Sequence, residues 1–158
     1  MIMVLGVGVG LAETAQRSFT FDVGTQEIAK VGSPIVLKIQ LKNISDHDLT
    51  RMSLPGAADH GEIVGFRPTV RDAEGKEPPL TQWGRQVFGR TFPGEPDLVL
   101  NAVGVVPLQP GESWKTQINL NKLYDLSAPG KYTVQIRYYD DEHKEWVTSK
   151  TVTVAVVP

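Results

Sequence analysis

The sequence predicts an all-β antiparallel sandwich, and three observations carry that reading. Apolar side chains recur at every second position in five separate runs, turn-forming residues stand between those runs, and no segment keeps a 3.6-residue apolar period. At 158 residues the chain suits one domain around a single core.

The opening dozen residues, "MIMVLGVGVGLA", are uncharged and apolar and run into "ETAQ". This matches the hydrophobic part of a secretory signal followed by small residues, although no Lys or Arg precedes it. We read residues 1–17 as an export leader and 18–158 as the folded domain, which places the protein in the periplasm or outside the cell. About 12 apolar residues fall short of the about 20 a stable membrane span needs. Gly6, Gly8 and Gly10 imitate the glycine spacing of a dinucleotide fingerprint. That motif requires a strand before it and a helix after it, and neither is indicated here.

The strands follow in order. "SFTFDV" puts Phe19, Phe21 and Val23 on one face, and "PIVLKIQLKN" does the same with Ile35, Leu37, Ile39 and Leu41. Shorter candidates occupy 63–71 and 98–106. "SWKTQINL" points Trp114, Thr116, Ile118 and Leu120 inward, and "NLNKLYDLS" suits a single helical turn. "KYTVQIRYY" aligns Tyr132, Val134, Ile136 and Tyr138, and "KTVTVAVV" aligns Val152, Val154 and Val156. Turns are expected at Val31-Gly32-Ser33-Pro34, Asp72-Ala73-Glu74-Gly75, Gln109-Pro110-Gly111-Glu112 and Ala128-Pro129-Gly130-Lys131, with 140–144 at the tip of a final hairpin. About seven to nine short strands of this kind form two stacked sheets.

Pro129, Gly130 and Tyr132 narrow the class. In immunoglobulin-like sandwiches a tyrosine at the start of the penultimate strand turns its hydroxyl back onto the backbone just upstream, closing the corner between sheets. The preceding "LYDLS" is then the crossover. The fold class is an immunoglobulin-like antiparallel β-sandwich.

"LKNISDHDLT", "VRDAEGKE", "LQPGES" and "APGKYTV" occur in an order that resembles small bacterial immunoglobulin-like modules, among them the BsuPI-type intracellular proteinase inhibitor. The "LQPGES…NLNKLYDLSAPGKYTV" half is similar to the N-terminal β-domain of deuterolysin-type metallopeptidases. The resemblance covers about half the chain. It implies the sandwich and, from the first family, an expectation of peptidase inhibition by loop insertion; no functional residue is carried over.

Composition removes several function classes. A net charge of −2 offers no single-signed field for nucleic acid, and the absence of cysteine excludes disulfides, thiolate metal sites and a cysteine nucleophile. Neither H-E-x-x-H nor G-x-S-x-G occurs. "SDHD" (45–48) and "DHGE" (59–62) would gather Asp46, His47, Asp48, Asp59, His60 and Glu62 if their loops shared one end of the sandwich, which is the basis for a metal-dependent hydrolase as an alternative. "DDEH" (140–143) reads as a solvated hairpin tip. The Asn43-Ile44-Ser45 sequon matters only in a eukaryotic secretory setting. We assign no catalytic residue, no metal ligand and no cofactor.

One stretch breaks the strand rhythm. Residues 76–97, "KEPPLTQWGRQVFGRTFPGEPD", interleave Trp83, Phe88 and Phe92 with Arg85 and Arg90 among prolines and glycines. Two readings stand side by side: an irregular strand whose aromatics close the core edge, or a binding surface, since aromatic and arginine side chains dominate interface hot spots. The functional expectation is an exported, non-enzymatic binding or accessory module. It would hold a protein partner through Trp83, Arg85, Phe88, Arg90 and Phe92, with proteinase inhibition as the alternative.

Overall fold

The period-two runs bury the faces expected of them. Ile35, Leu37, Ile39 and Leu41 are all buried, as are Phe19, Val23, Trp114, Ile118, Tyr132, Val134, Ile136, Val154 and Val156. The structure, a computed structural model, describes residues 17–53, 65–96 and 104–158. The expected leader apart from Arg17, the 59–62 cluster with His60, and most of the 98–106 strand candidate lie outside the described residues.

In chain order the elements are β1 (Phe19–Gly24), β2 (Ile28–Lys30), β3 (Val36–Asn43), β4 (Leu49–Ser53), β5 (Phe66–Arg71), α1 (Gln82–Phe88), β6 (Gly104–Leu108), β7 (Ser113–Asn119), a 3-10 turn at Leu120–Lys122, β8 (Gly130–Asp140), β9 (Glu145–Thr148) and β10 (Val152–Val157). One sheet has the order β1-β3-β7. The other runs β2-β10-β8-β5, with β9 also on β8, and β4-β6 forms a two-stranded ladder. The sheets meet through an aromatic cluster. Phe19 and Trp114 come from the first sheet, Phe66 and Tyr138 from the second, with ring centroids 4.7–5.5 Å apart. The molecule is an immunoglobulin-like β-sandwich.

The predicted corner is present. Tyr132 donates its hydroxyl to the Ala128 carbonyl at 2.8 Å, just after the 3-10 turn and the crossover have carried the chain from β7 to β8. Removing that hydroxyl leaves a carbonyl without its partner. Tyr132→Phe is therefore expected to lose about 1 kcal/mol, read as a Tm lower by about 2–4 °C in thermal unfolding.

Four features depart from the sequence reading. One pairing is parallel: β2 lies against β10 with Ala155 opposite Ile28, because the chain leaves the first sheet after β1 and joins the second. The 140–144 hairpin leads into an additional strand, β9, before the last one. The β4-β6 ladder resumes beyond β3 and β7 after an interruption that the buried Asn43 clips. Its amide donates to the carbonyls of His47 and Leu108, and its oxygen accepts from the Ser45 N–H and hydroxyl. The sequon asparagine is thus committed to the core.

The fourth departure is α1, which replaces the loop or irregular strand expected over 82–88. Thr81 caps its N-terminus by accepting from the Gly84 N–H at 2.9 Å, and Gly89 ends it in the left-handed region at φ 65°. Seven residues are too few to display an apolar period, so the caps were the only signal available.

Candidate functional site

Residues 79–81 run antiparallel to the crossover. Thr81 N–H donates to Leu123 O at 2.9 Å, Asp125 N–H to Pro79 O at 2.7 Å, and Leu80 bridges to Tyr124. That docking fixes α1 beside the outer strand β5. Tyr124, buried beneath it, donates its hydroxyl to the Pro68 carbonyl of β5 at 3.1 Å. Its ring meets Phe88 at 6.0 Å. Burial, together with the nearby Glu77 carboxylate, raises the Tyr124 hydroxyl well above the ordinary phenol range. The outer edge of β5 is thereby blunted, with proline removing one donor and tyrosine covering one acceptor.

Within the 82–96 segment the five predicted residues fall into different roles. Arg85 is held: its guanidinium pairs with Glu95, reaches the Leu80 carbonyl at 2.9 Å, and stacks 4.5 Å from the Phe92 ring. The Glu95 carboxyl is held down to about 2, first by Arg85 and then by the Phe92 N–H. Gln86 adds a hydrogen bond to the Pro96 carbonyl at 2.8 Å. The turn at 92–95 is therefore rigid, and it presents Phe92 at 61% exposure. Trp83 and Phe88 pack against the core. Arg90 pairs with Glu77 at 2.9 Å.

Only Phe88 and Arg90 of the five reach the recess that forms where α1 meets the sheet. This recess of about 390 Å³ is lined by Arg67 and Arg71 of β5, Arg137 of β8, and Arg90, with Val87 and Phe88 as its apolar wall. Among the described residues Glu77 is the one carboxylate in its lining, and Arg90 already pairs with it. Arg67 and Arg137 are direct cross-strand partners on the outer face. Neither they nor Arg71 has an ion-pair partner among the described residues. Arg137 also lies 5.2 Å from the ring of Trp146, which is 45% exposed and packs edge-on against Tyr139. These arginines were missed because single charges on alternate strand positions read as ordinary solvent-facing residues.

A second polar constellation sits at the C-terminal tip of β8, around Asp140. "SDHD" meets "DDEH", while the 59–62 cluster lies outside the described residues. His47 Nε2 approaches Glu142 at 3.2 Å and His47 Nδ1 lies 2.9 Å from Asp46. Hydrogen bonding to Asp46 raises the His47 pKa. Asp140 and Ser18 are each 1% exposed. Asp140 accepts from the Ser18 N–H and hydroxyl, the N–H groups of Glu142 and His143, and His143 Nδ1. Ser18, His143 and Asp140 do not form a nucleophilic relay. Serine and aspartate share the same imidazole nitrogen, so the ring cannot pass a proton from one to the other. The single Ser18 hydroxyl proton is shared between Asp140 and the nearer Glu142 carboxylate, which holds the side chain in place. Among the described residues no group of three or more His, Asp or Glu is placed to hold a metal ion, and no helix is long and apolar enough to cross a membrane.

No protein-family model and no curated protein matches the chain. Similar solved structures include a β-glucosidase from Listeria innocua in complex with gluconolactone, at 15% identity and a TM-score of 0.47. The match covers 90% of this chain but 16% of the glucosidase. A CARDB domain from Pyrococcus furiosus in complex with di-metal ions is similar at 13% identity and a TM-score of 0.47, with 89% of each chain covered. A PapD-like domain of a human protein is similar at 11% identity and a TM-score of 0.37, covering 99% of this chain and 95% of that domain.

Proposed function

We propose that the chain is a non-enzymatic binding module whose contact face is the 82–96 segment together with the adjoining outer side of β5 and β8. One observation carries the reading: a segment with no regular strand partner is nevertheless locked from within by Arg85 and Glu95, so that Phe92 is displayed on a preorganised turn. Large apolar side chains held rigidly in solvent lose little freedom when a partner covers them. The apolar run at the N-terminus supports placement outside the cytosol, and the exposed aromatic beside arginine suits a protein as the partner.

A photo-crosslinking residue at Phe92 is expected to give a discrete adduct with one partner in extracts of the source cells. The same group at Lys115, on the outer face of β7, is expected to give none. Adducts at 115 and not at 92 would put the contact face elsewhere. The resemblance to BsuPI-type inhibitors supplies a second reading through the same rigid turn, with Phe92 entering a peptidase cleft. Inhibition assays with Phe92→Ala address it: inhibition by the parent protein that the substitution leaves unchanged removes the turn from that role.

A further inference from the structure

We infer that the arginine recess is the anchor for an acidic peptide segment, with a carboxylate seated between Arg67 and Arg137 and a neighbouring aromatic or apolar side chain laid on Trp146. The inference rests on the 82–96 face being the contact surface, and it adds what that surface recognises. Its first support is electrostatic. Like charges directly opposite one another in a ladder are unfavourable, and neither guanidinium has a carboxylate partner among the described residues. Among the described residues Arg67 donates only to the adjacent Phe66 carbonyl at 3.1 Å, and Arg71 only to Gly75 O at the limit of 3.5 Å. The guanidinium forks therefore retain donors for a carboxylate, which arginine holds in bidentate geometry.

The second support is layout. Across β9, β8 and β5 the outer face presents Trp146, Arg137 and Arg67 in succession, because Tyr139 pairs with Trp146 and Arg137 pairs with both Thr148 and Arg67. Beyond Arg67 lie Val87 and Phe88. An aromatic platform, a cationic pair and an apolar wall thus follow one another. This order suits an extended peptide carrying an acid between two apolar residues. A polyanion of uniform charge would leave Trp146 and Phe88 without a matching group.

The test uses the full chain and a fluorescein-labelled peptide with glutamates flanked by aromatic residues, followed by anisotropy. Saturable binding is expected, weakening as salt rises from about 0.05 M to about 0.5 M. Arg67→Gln and Arg137→Gln should each weaken it about tenfold, and Trp146→Ala should weaken it with the salt dependence unchanged. Both arginines lie on the outer face, so the glutamine variants should keep or slightly raise the parental Tm, which separates lost binding from lost folding. Absence of binding, arginine variants that bind as the parent does, or displacement by a heparin fragment in preference to peptide would overturn the inference. The Phe92 adduct is read independently, so the contact face stands or falls by its own experiment.

Discussion

Gly84→Ala is expected to unseat α1 and to be among the most damaging single-methyl additions in the described part of the molecule. A Cβ at position 84 would lie 2.0 Å from the Leu123 carbonyl oxygen and 2.8 Å from its carbon. Both are backbone atoms of the crossover, so no side-chain rotation relieves the overlap. Alanine's higher helix propensity, worth about 1 kcal/mol, favours the variant, but it is small beside steric exclusion at that distance. The helix must move away, breaking the Thr81 N–H bond to Leu123 O and uncovering Tyr124, Val87 and Phe88. We expect a net loss of about 3 kcal/mol, seen as a Tm lower by about 6–12 °C. Amide exchange in 80–90 should accelerate well before that in β3 and β8. Gly89→Ala is the control: it meets nothing within 4 Å, and its cost is limited to the left-handed backbone, about 1 kcal/mol. If Gly84→Ala cost no more than Gly89→Ala, the helix would not be seated on the crossover as described.

Asp140→Asn is the second large effect. The carboxylate is 1% exposed and receives the Ser18 N–H at 2.9 Å together with the N–H groups of Glu142 and His143 on its other oxygen. An amide must point its NH2 at one of these sets, leaving donors facing a donor. The loss is about 2–4 kcal/mol. Burial works against the charged form here, yet the hydrogen bonds from Ser18 and His143 prevail, and the Asp140 pKa falls below its ordinary value of 3.8. The sign follows. A carboxyl whose folded pKa is depressed contributes stability above its unfolded value, and that contribution disappears as pH falls through the folded value. The parent protein should therefore lose stability below about pH 4, and Asp140→Asn should flatten that part of the profile. His47 acts in the opposite direction. Its raised pKa lends any help it gives below its ordinary value of 6.5, and that help is lost as pH rises. Urea unfolding midpoints measured from acid to neutral pH separate the two. An acid limb in Asp140→Asn as steep as in the parent would show that Asp140 is not its source.

Much of the scaffold was legible because alternation alone determines which side of a strand is buried. Ile35 to Leu41, Trp114 to Leu120 and Tyr132 to Tyr138 needed no partner to be identified as core. The Tyr132 corner was legible for a related reason: its hydroxyl bonds only four residues upstream, within one local turn. Residues 76–97 stood out in the sequence as breaking the strand rhythm, but the contacts within them were not legible. Arg85 and Glu95 are ten residues apart and no periodicity links them, so the ion pair that makes Arg85 a structural brace could not be read from the sequence. The histidine loops show the same limit. His47 faces Glu142, because β1 and β3 deliver Ser18 and the 44–48 loop to the tip of β8, while the 59–62 cluster it could have joined lies outside the described residues.

By itself the sequence determined the two-layer β architecture, the inward faces of its long strands and the corner at Tyr132, since each depends on side-chain alternation or on contacts a few residues apart. Only the tertiary structure decided the parallel β2-β10 pairing, the seating of α1 on Leu123, and the gathering of Arg67, Arg71, Arg90 and Arg137 around one recess. Those arrangements join residues up to more than a hundred positions apart. Their partners are chosen by strand order and steric fit between elements, which no short stretch of chain encodes.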